Sequence, residues 1–159
     1  RSLWWVAGAL IGWSAVMVVA EAVARQERGA DGLTLRDGVV VGCFQAVALV
    51  PGVSRSGATI SGGLFRGLDR VTATRLAFLL AIPAMSAAAV TEIDEALGAG
   101  AGFLPTALGT LTAFAVAFAT VGWLLRFVAR HSIVVFAAYR VVVGLVLLVL
   151  LTTGTIGAR

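Results

Sequence analysis

Apolar residues occur along this chain in long blocks, with polar residues gathered in the gaps between them. Four blocks, Leu3–Ala20, Val71–Val90, about Leu104–Leu125 and about Ile133–Leu151, are long enough to carry a helix across a hydrocarbon core of about 30 Å. Trp4 and Trp5 lie where an interfacial aromatic belt would sit, and Gly8 and Gly12 have the GxxxG spacing that admits a closely packed second helix. Pro83 is expected to kink the second span. The gaps are a polar connector, Glu21–Asp37, a short turn, Arg66–Arg70, an acidic glycine-rich loop, Thr91–Gly102, and a basic loop, Arg126–His131.

A fifth block behaves differently. From Gly38 to Phe65, 28 residues contain a single charge, Arg55. Pro51-Gly52 interrupts the block, and Ser54, Ser56, Gly57, Thr59, Ser61, Gly62 and Gly63 crowd just after the break. As helices, Gly38–Val50 would be about 20 Å long and Gly57–Phe65 about 14 Å, so neither half crosses the core. The block is either one broken spanning helix or a hairpin that enters and leaves on the same side. Arginine placement selects the hairpin. The positive-inside rule puts the Arg126–His131 loop in the cytoplasm and the loop with Glu92, Asp94 and Glu95 outside. Counting back one span then places Arg66–Arg70 in the cytoplasm, and the arginines of the Glu21–Asp37 connector place it on the same side. The expected fold is an all-α integral membrane protein with about four transmembrane helices plus one re-entrant helical hairpin at about 38–65, in a single membrane domain over 1–159.

Composition supports this and removes other classes. Hydrophobic residues make up 60% of the chain and charged residues 13%, against roughly 45–50% and 25% in soluble domains. A soluble globule and a disordered chain are both excluded. All 12 cationic side chains are Arg, with a net charge of +4, and they are scattered through the membrane-flanking gaps. Nucleic-acid binding needs them gathered on one face, so it is set aside. Cys43, the single cysteine, reads as a small buried hydrophobe. Arg66, Arg70 and Arg75 read as topology signals facing headgroups, and His131 as interfacial. Arg140, about eight residues into the last span, is either functional or snorkels or pairs with a carbonyl; it is left outside the candidate site.

The tip of the fifth block carries the chemistry. An arginine at membrane depth costs about 2.5–3.5 kcal/mol on insertion scales, and no acid among its 27 block neighbours can neutralise it. Ser54 or Ser56 can cap a helix beginning near Gly57. The free amides and dipole of such a helix, a planar guanidinium fork and glycines that admit a bulky group make an anion cradle suited to phosphate. The alternative is a structural arginine capping helix carbonyls in a packed bundle. Neither a Walker loop nor a nucleophile elbow is present, because no Gly-Lys-Ser/Thr follows and Gly57 does not complete the elbow spacing.

Pro51-Gly-Val-Ser-Arg-Ser-Gly-Ala-Thr-Ile60, preceded by Gln45-Ala-Val-Ala-Leu-Val50, closely resembles the second signature motif of the undecaprenyl-diphosphate phosphatases, the bacitracin-resistance proteins. The resemblance extends to Leu33-Thr-Leu-Arg-Asp37, Phe78-Leu-Leu-Ala-Ile-Pro83 and Phe136-Ala-Ala-Tyr-Arg140, and so runs through most of the chain. It implies half of an inverted-repeat fold, the C-terminal repeat. The family's other motif, with paired glutamates and a Ser-Ser-Thr-Gly-His stretch, has no counterpart here, and the chain begins with Arg1 rather than Met. A segment of a longer protein, inactive alone, is therefore expected. The resemblance implies hydrolysis of undecaprenyl diphosphate to the monophosphate lipid carrier of cell-wall synthesis, in the bacterial plasma membrane. It assigns catalytic roles to Arg55, Ser54 and Thr59, and phosphate or substrate binding to Ser56, Gly57, Gly52 and Gln45. A divalent cation, Mg or Ca, is expected with its ligands outside this chain, so no metal ligand is named. Expected partners are a polyprenyl diphosphate lipid, the membrane and the N-terminal repeat of the same protein, with self-association left open. A transporter or lipid-flipping repeat with an intramembrane anion site is the competing reading.

Overall fold

The computed structural model describes residues 2–98 and 102–157, with the main chain alone for 93–98. Six α-helices make up the described residues: α1 Leu3–Val23, α2 Leu35–Val47, α3 Arg55–Phe65, α4 Arg70–Gly98, α5 Phe103–Val128 and α6 Val134–Thr152. No β-strand occurs among the described residues. α1, α4, α5 and α6 are the four helices long and apolar enough to cross a membrane. The all-α architecture and the number of spans are as the hydrophobic blocks predict.

α3 is the central element. It packs against α1, α2 and α4, and every residue from Gly57 to Leu64 is buried. Small residues allow that. A Cβ on Gly62 would stand 2.9 Å from the Phe44 ring of α2, and one on Gly63 2.7 Å from Ala73 of α4. Ile60 and Leu64 join Met17 and Ala20 of α1, Ala73 and Ala77 of α4, and Ile133 and Ala137 in one apolar core. α1 and α6 form the other close pair, where a Cβ on Gly144 would meet Ile11 at 2.7 Å. The close approach thus comes from α6. Gly8 and Gly12, expected to supply it, have nothing within 4 Å of an added Cβ.

α2 and α3 form the hairpin. Asp37 in the first turn of α2 lies against Arg66, which closes α3, so the two outer ends of the hairpin are neighbours. A capping box starts α2: Thr34 Oγ1 accepts the Asp37 amide at 3.3 Å, and Asp37 Oδ2 accepts the Thr34 amide at 2.9 Å. α2 therefore begins at Leu35 and α3 at Arg55, rather than at Gly38 and near Gly57.

Other expectations are corrected. Thr91–Gly102 is no loop over its first part, because α4 continues to Gly98. Good helix formers and the lack of Gly or Pro between Pro83 and Gly98 carry it on despite its acids. Glu92 is exposed there, whereas the side chains of Asp94 and Glu95 lie outside the described residues. Cys43 is exposed rather than buried, since it sits on the outward face of α2. Arg66 and Arg70 do not simply face headgroups, for they pair with Asp37 and Glu21. α5 is the least packed helix: Phe114 and Phe118 are 69% and 75% exposed, which suits side chains that face lipid tails.

Candidate functional site

The site is built where the α2–α3 turn meets α1, α4 and α6. After α2, successive turns over residues 48–53 carry the chain through Pro51 and Gly52 to Ser54. Gly52 has φ +95°, and a Cβ there would stand 2.5 Å from the Val6 carbonyl oxygen of α1. Backbone conformation and the α1 surface both demand glycine at this position. Gly52 thus faces a helix rather than an open cradle, and its carbonyl accepts a hydrogen bond from Arg140 Nη2 at 2.7 Å.

Ser54 is the N-cap of α3. Its Oγ accepts the Gly57 amide at 3.1 Å and lies 3.2 Å from Ser56 Oγ. The Gly57 amide, expected to complete the cradle, is therefore engaged in the cap. Ala58 N–H bonds the Ser54 carbonyl at 2.8 Å. The amides of Arg55 and Ser56 remain as the first-turn donors without an intrahelical acceptor. Thr59 is buried, and its hydroxyl donates back to the carbonyls of Arg55 (2.8 Å) and Ser56 (3.1 Å). Its proton is committed to the helix, leaving oxygen lone pairs as its free capacity.

Arg55 stands at the start of α3. Eleven residues at about 1.5 Å rise put it about 16 Å from the hairpin base, half of a hydrocarbon core. Its Nη1 approaches Met85 Sδ of α4 at 2.9 Å, a weak acceptor. Among the described residues no carboxylate lies within 4.0 Å of it. The guanidinium is exposed and edges two hollows. One of about 230 Å³ is lined by Arg55, Ser56, Thr59, Ala77, Phe78 and Ala81. The other, about 740 Å³, lies between α2 and α4 and includes Gln45, Leu49, Val53, Arg55 and Ala84. Gln45 Nε2 donates to Leu80 O at 3.4 Å, while its buried Oε1 has no partner.

Arg55, Ser54, Ser56, Gly57 and Thr59 are thus together at one helix end, with Gln45 sharing a hollow with Arg55 and Gly52 behind them against α1. Arg140, set apart in the sequence reading, is brought to the same tip from 88 residues away. Its signal was an ionisable residue within an apolar span, which is a candidate by default. Chemically the tip offers two guanidinium groups, a mutually hydrogen-bonded pair of serine hydroxyls and two amides, a donor-rich set for an oxyanion. It holds no carboxylate, and no group of three or more His, Cys, Asp or Glu that could hold a metal occurs among the described residues.

The hairpin base has the opposite character. Asp37, wholly inaccessible, accepts from Arg28 Nη2 at 2.6 Å, Arg66 Nε at 2.8 Å and Thr34 Oγ1 at 2.7 Å. The Arg28 guanidinium, then Thr34 and Arg66, hold its carboxyl well below the usual carboxylate range against the opposing effect of burial, and Asp37 raises the Arg28 pKa in turn. Arg28 also bonds the carbonyls of Gly32 (2.6 Å) and Arg66 (3.0 Å), and its main chain pairs with Gly67 and Asp69.

Comparison with known proteins gives this arrangement its relatives. Residues 1–146 match the family described as bacitracin resistance protein BacA. A Frankia casuarinae protein named undecaprenyl-diphosphatase 3 is 48% identical over 99% of this chain and 58% of its own length. A Mycobacterium ulcerans protein named undecaprenyl-diphosphatase is 52% identical over 99% of this chain and 59% of its own length. An Acidothermus cellulolyticus protein of the same name is 50% identical over 99% and 58%. The chain therefore spans somewhat under three-fifths of the length of the curated relatives it matches, and by the family match over nearly its whole extent it belongs to the BacA bacitracin resistance protein family.

Proposed function

We propose that the hairpin tip binds the diphosphate of a polyprenyl lipid, and that this chain takes part in hydrolysing undecaprenyl diphosphate to undecaprenyl phosphate and inorganic phosphate in the bacterial plasma membrane. The observation that carries the reading is Arg55, a guanidinium about 16 Å into the hairpin whose contact is a thioether, with no carboxylate beside it among the described residues. A lipid-borne diphosphate supplies the missing anion, and its tail lies among the apolar helix faces. On this reading α2–α3 is a re-entrant hairpin whose base is cytoplasmic.

The residues then divide their work. Arg55 grips phosphate oxygens in a bidentate manner and neutralises charge that develops as the terminal P–O bond breaks. Ser56 and the amides of Arg55 and Ser56 donate to the same oxygens. Ser54 holds the helix end in place through its cap on Gly57. Thr59 keeps its hydroxyl on the Arg55 carbonyl and so steadies the first turn. Gln45 offers its unpartnered Oε1 to a hydrated group in the hollow it shares with Arg55.

The donor set at the tip does not fit a divalent cation, since Gly38–Leu68 contains no Asp, Glu or His. We assign the base that activates water, and any cation, to a partner repeat bearing carboxylates. The test is phosphate release from undecaprenyl diphosphate in proteoliposomes. Release that disappears with Arg55→Ala supports the reading. Lipid diphosphate that crosses the bilayer without phosphate release would favour the transporter instead, and unchanged release by Arg55→Ala would remove Arg55 from the site.

A further inference from the structure

The helix start that presents Arg55 has a second side. There, Ser54, Ser56, Gly57 and Arg140 line a cavity of about 160 Å³ whose remaining walls are apolar, among them Met17, Leu124 and Phe136. Arg140 Nη2 is anchored on the Gly52 carbonyl, which holds the guanidinium in the cavity wall. Its Nε–H is buried and has no acceptor. No carboxylate lies within 4.0 Å of Arg140 among the described residues. A cation held at the wall of a largely apolar cavity, with no carboxylate beside it among the described residues, is costly unless an anion completes it. The cavity joins that cation to two hydroxyls, and its walls suit a body with an apolar continuation. Ser56 lines both this cavity and the one beside Arg55.

We infer that Arg140 is a second anion-gripping residue, so that the start of α3 holds two phosphate groups of one ligand, one on the Arg55 side and one on the Arg140 side, with Ser56 between them. Resting on the diphosphate reading above, the inference adds a division of labour. A diphosphate engages both arginines, whereas a monophosphate engages one. Product would then be held more weakly than substrate without any movement of the hairpin. The Gly52 contact positions Arg140 for this role; it is not the role itself.

The test is binding of inorganic pyrophosphate and of orthophosphate to the full chain in nanodiscs, by calorimetry at low salt, for the unaltered protein and for Arg140→Gln and Arg140→Lys. Glutamine keeps a donor for the Gly52 carbonyl and loses the charge, so the turn stays pinned. Arg140→Gln is expected to weaken pyrophosphate at least about tenfold and orthophosphate about threefold or less, with a melting temperature within a few degrees of the unaltered protein. Arg140→Lys recovers part of the pyrophosphate affinity, because charge without the fork is a weaker grip. Equal, small losses for both anions, or a lowered melting temperature with pyrophosphate affinity unchanged, would show that Arg140 only pins the turn and would overturn the inference. An unaltered protein that binds no pyrophosphate overturns it as well. If pyrophosphate binds through Arg140 while no phosphate is released from lipid diphosphate, the hydrolase reading falls and the two-arginine site stands.

Discussion

The two ends of the α2–α3 hairpin use the same side chain to opposite effect. At the base, Arg28 and Arg66 converge on one buried carboxylate, and Arg28 also donates to two main-chain oxygens. At the tip, Arg55 has a thioether and Arg140 a single carbonyl, and neither has a carboxylate among the described residues. A saturated arginine is a fastener, because removing any partner strands the rest. An unsaturated one in apolar surroundings is an incomplete site, stable only with a ligand or at an energetic cost. Base and tip are joined by α3, which packs against α1, α2 and α4 and is buried from Gly57 to Leu64. The comparison predicts that substitutions of the tip arginines remove activity with little loss of stability, and that those at the base do the reverse.

The largest effect belongs to Arg55→Ala. Phosphate release from undecaprenyl diphosphate is expected to fall about 10²–10³-fold, the size seen when one preorganised donor to a developing oxyanion is lost. The melting temperature should stay level or rise, since a cation without a carboxylate partner among the described residues has been removed. A large drop in melting temperature would show that Arg55 is a fastener after all, and the contrast between the two ends would be broken.

Gly52→Ala comes next and probes the turn itself. The residue has φ +95°, and its added methyl would collide with the Val6 carbonyl at 2.5 Å. Destabilisation of about 2–3 kcal/mol is expected in denaturant titrations. Activity should fall too, because the carbonyl that positions Arg140 moves with the turn. Unchanged stability would mean that the turn is not pressed against α1.

Much of the tip is legible in the sequence. Arg55 stands among 27 residues without an acid, so its lack of a local partner follows from counting alone. Ser54 as a cap follows from its place before a helix-competent run. The base was misread because Arg28, Arg66 and Asp37 are spread over 39 residues, and counting arginines against sidedness treats them as independent charges. Their convergence depends on the hairpin closing, a long-range event that no periodicity reports. Arg140 and Gly52 fail to announce each other for the same reason. The end of α4 was missed for a local one: polarity was weighed above propensity at Thr91–Gly98, where the backbone prefers to stay helical.

Asp37→Asn tests the base directly. Two arginines lose a common charge while the buried amide keeps part of the hydrogen bonding. Because both arginines are about one-third exposed, solvent screens the loss, and a destabilisation of about 2 kcal/mol is expected. Phosphate release per folded molecule should remain within about twofold, as Asp37 lies a full length of α3 from the tip. Loss of turnover in a variant that still melts cooperatively near the unaltered temperature would join base and tip into one functional unit.

The smallest effect is the dependence on acid. Asp37 is held below its ordinary pKa in the folded protein by Arg28, Thr34 and Arg66, while in the unfolded chain it titrates near about 3.9. A depressed folded pKa means that the unfolded state binds the proton first. The stabilisation is therefore complete above the unfolded value and fades as pH falls below about 4 toward the lower folded value. Melting temperature in nanodiscs should be insensitive to Asp37 between pH 7 and about 5, then decline as the solution is acidified further. The measurement is the difference between the unaltered protein and Asp37→Asn across that range, which cancels the titration of the remaining carboxylates. The gap should be widest and flat at neutral pH and narrow below about pH 4. A gap that widens on acidification would mean that the folded carboxyl titrates above the unfolded one, which the donors of three residues around Asp37, Arg28, Thr34 and Arg66, do not permit.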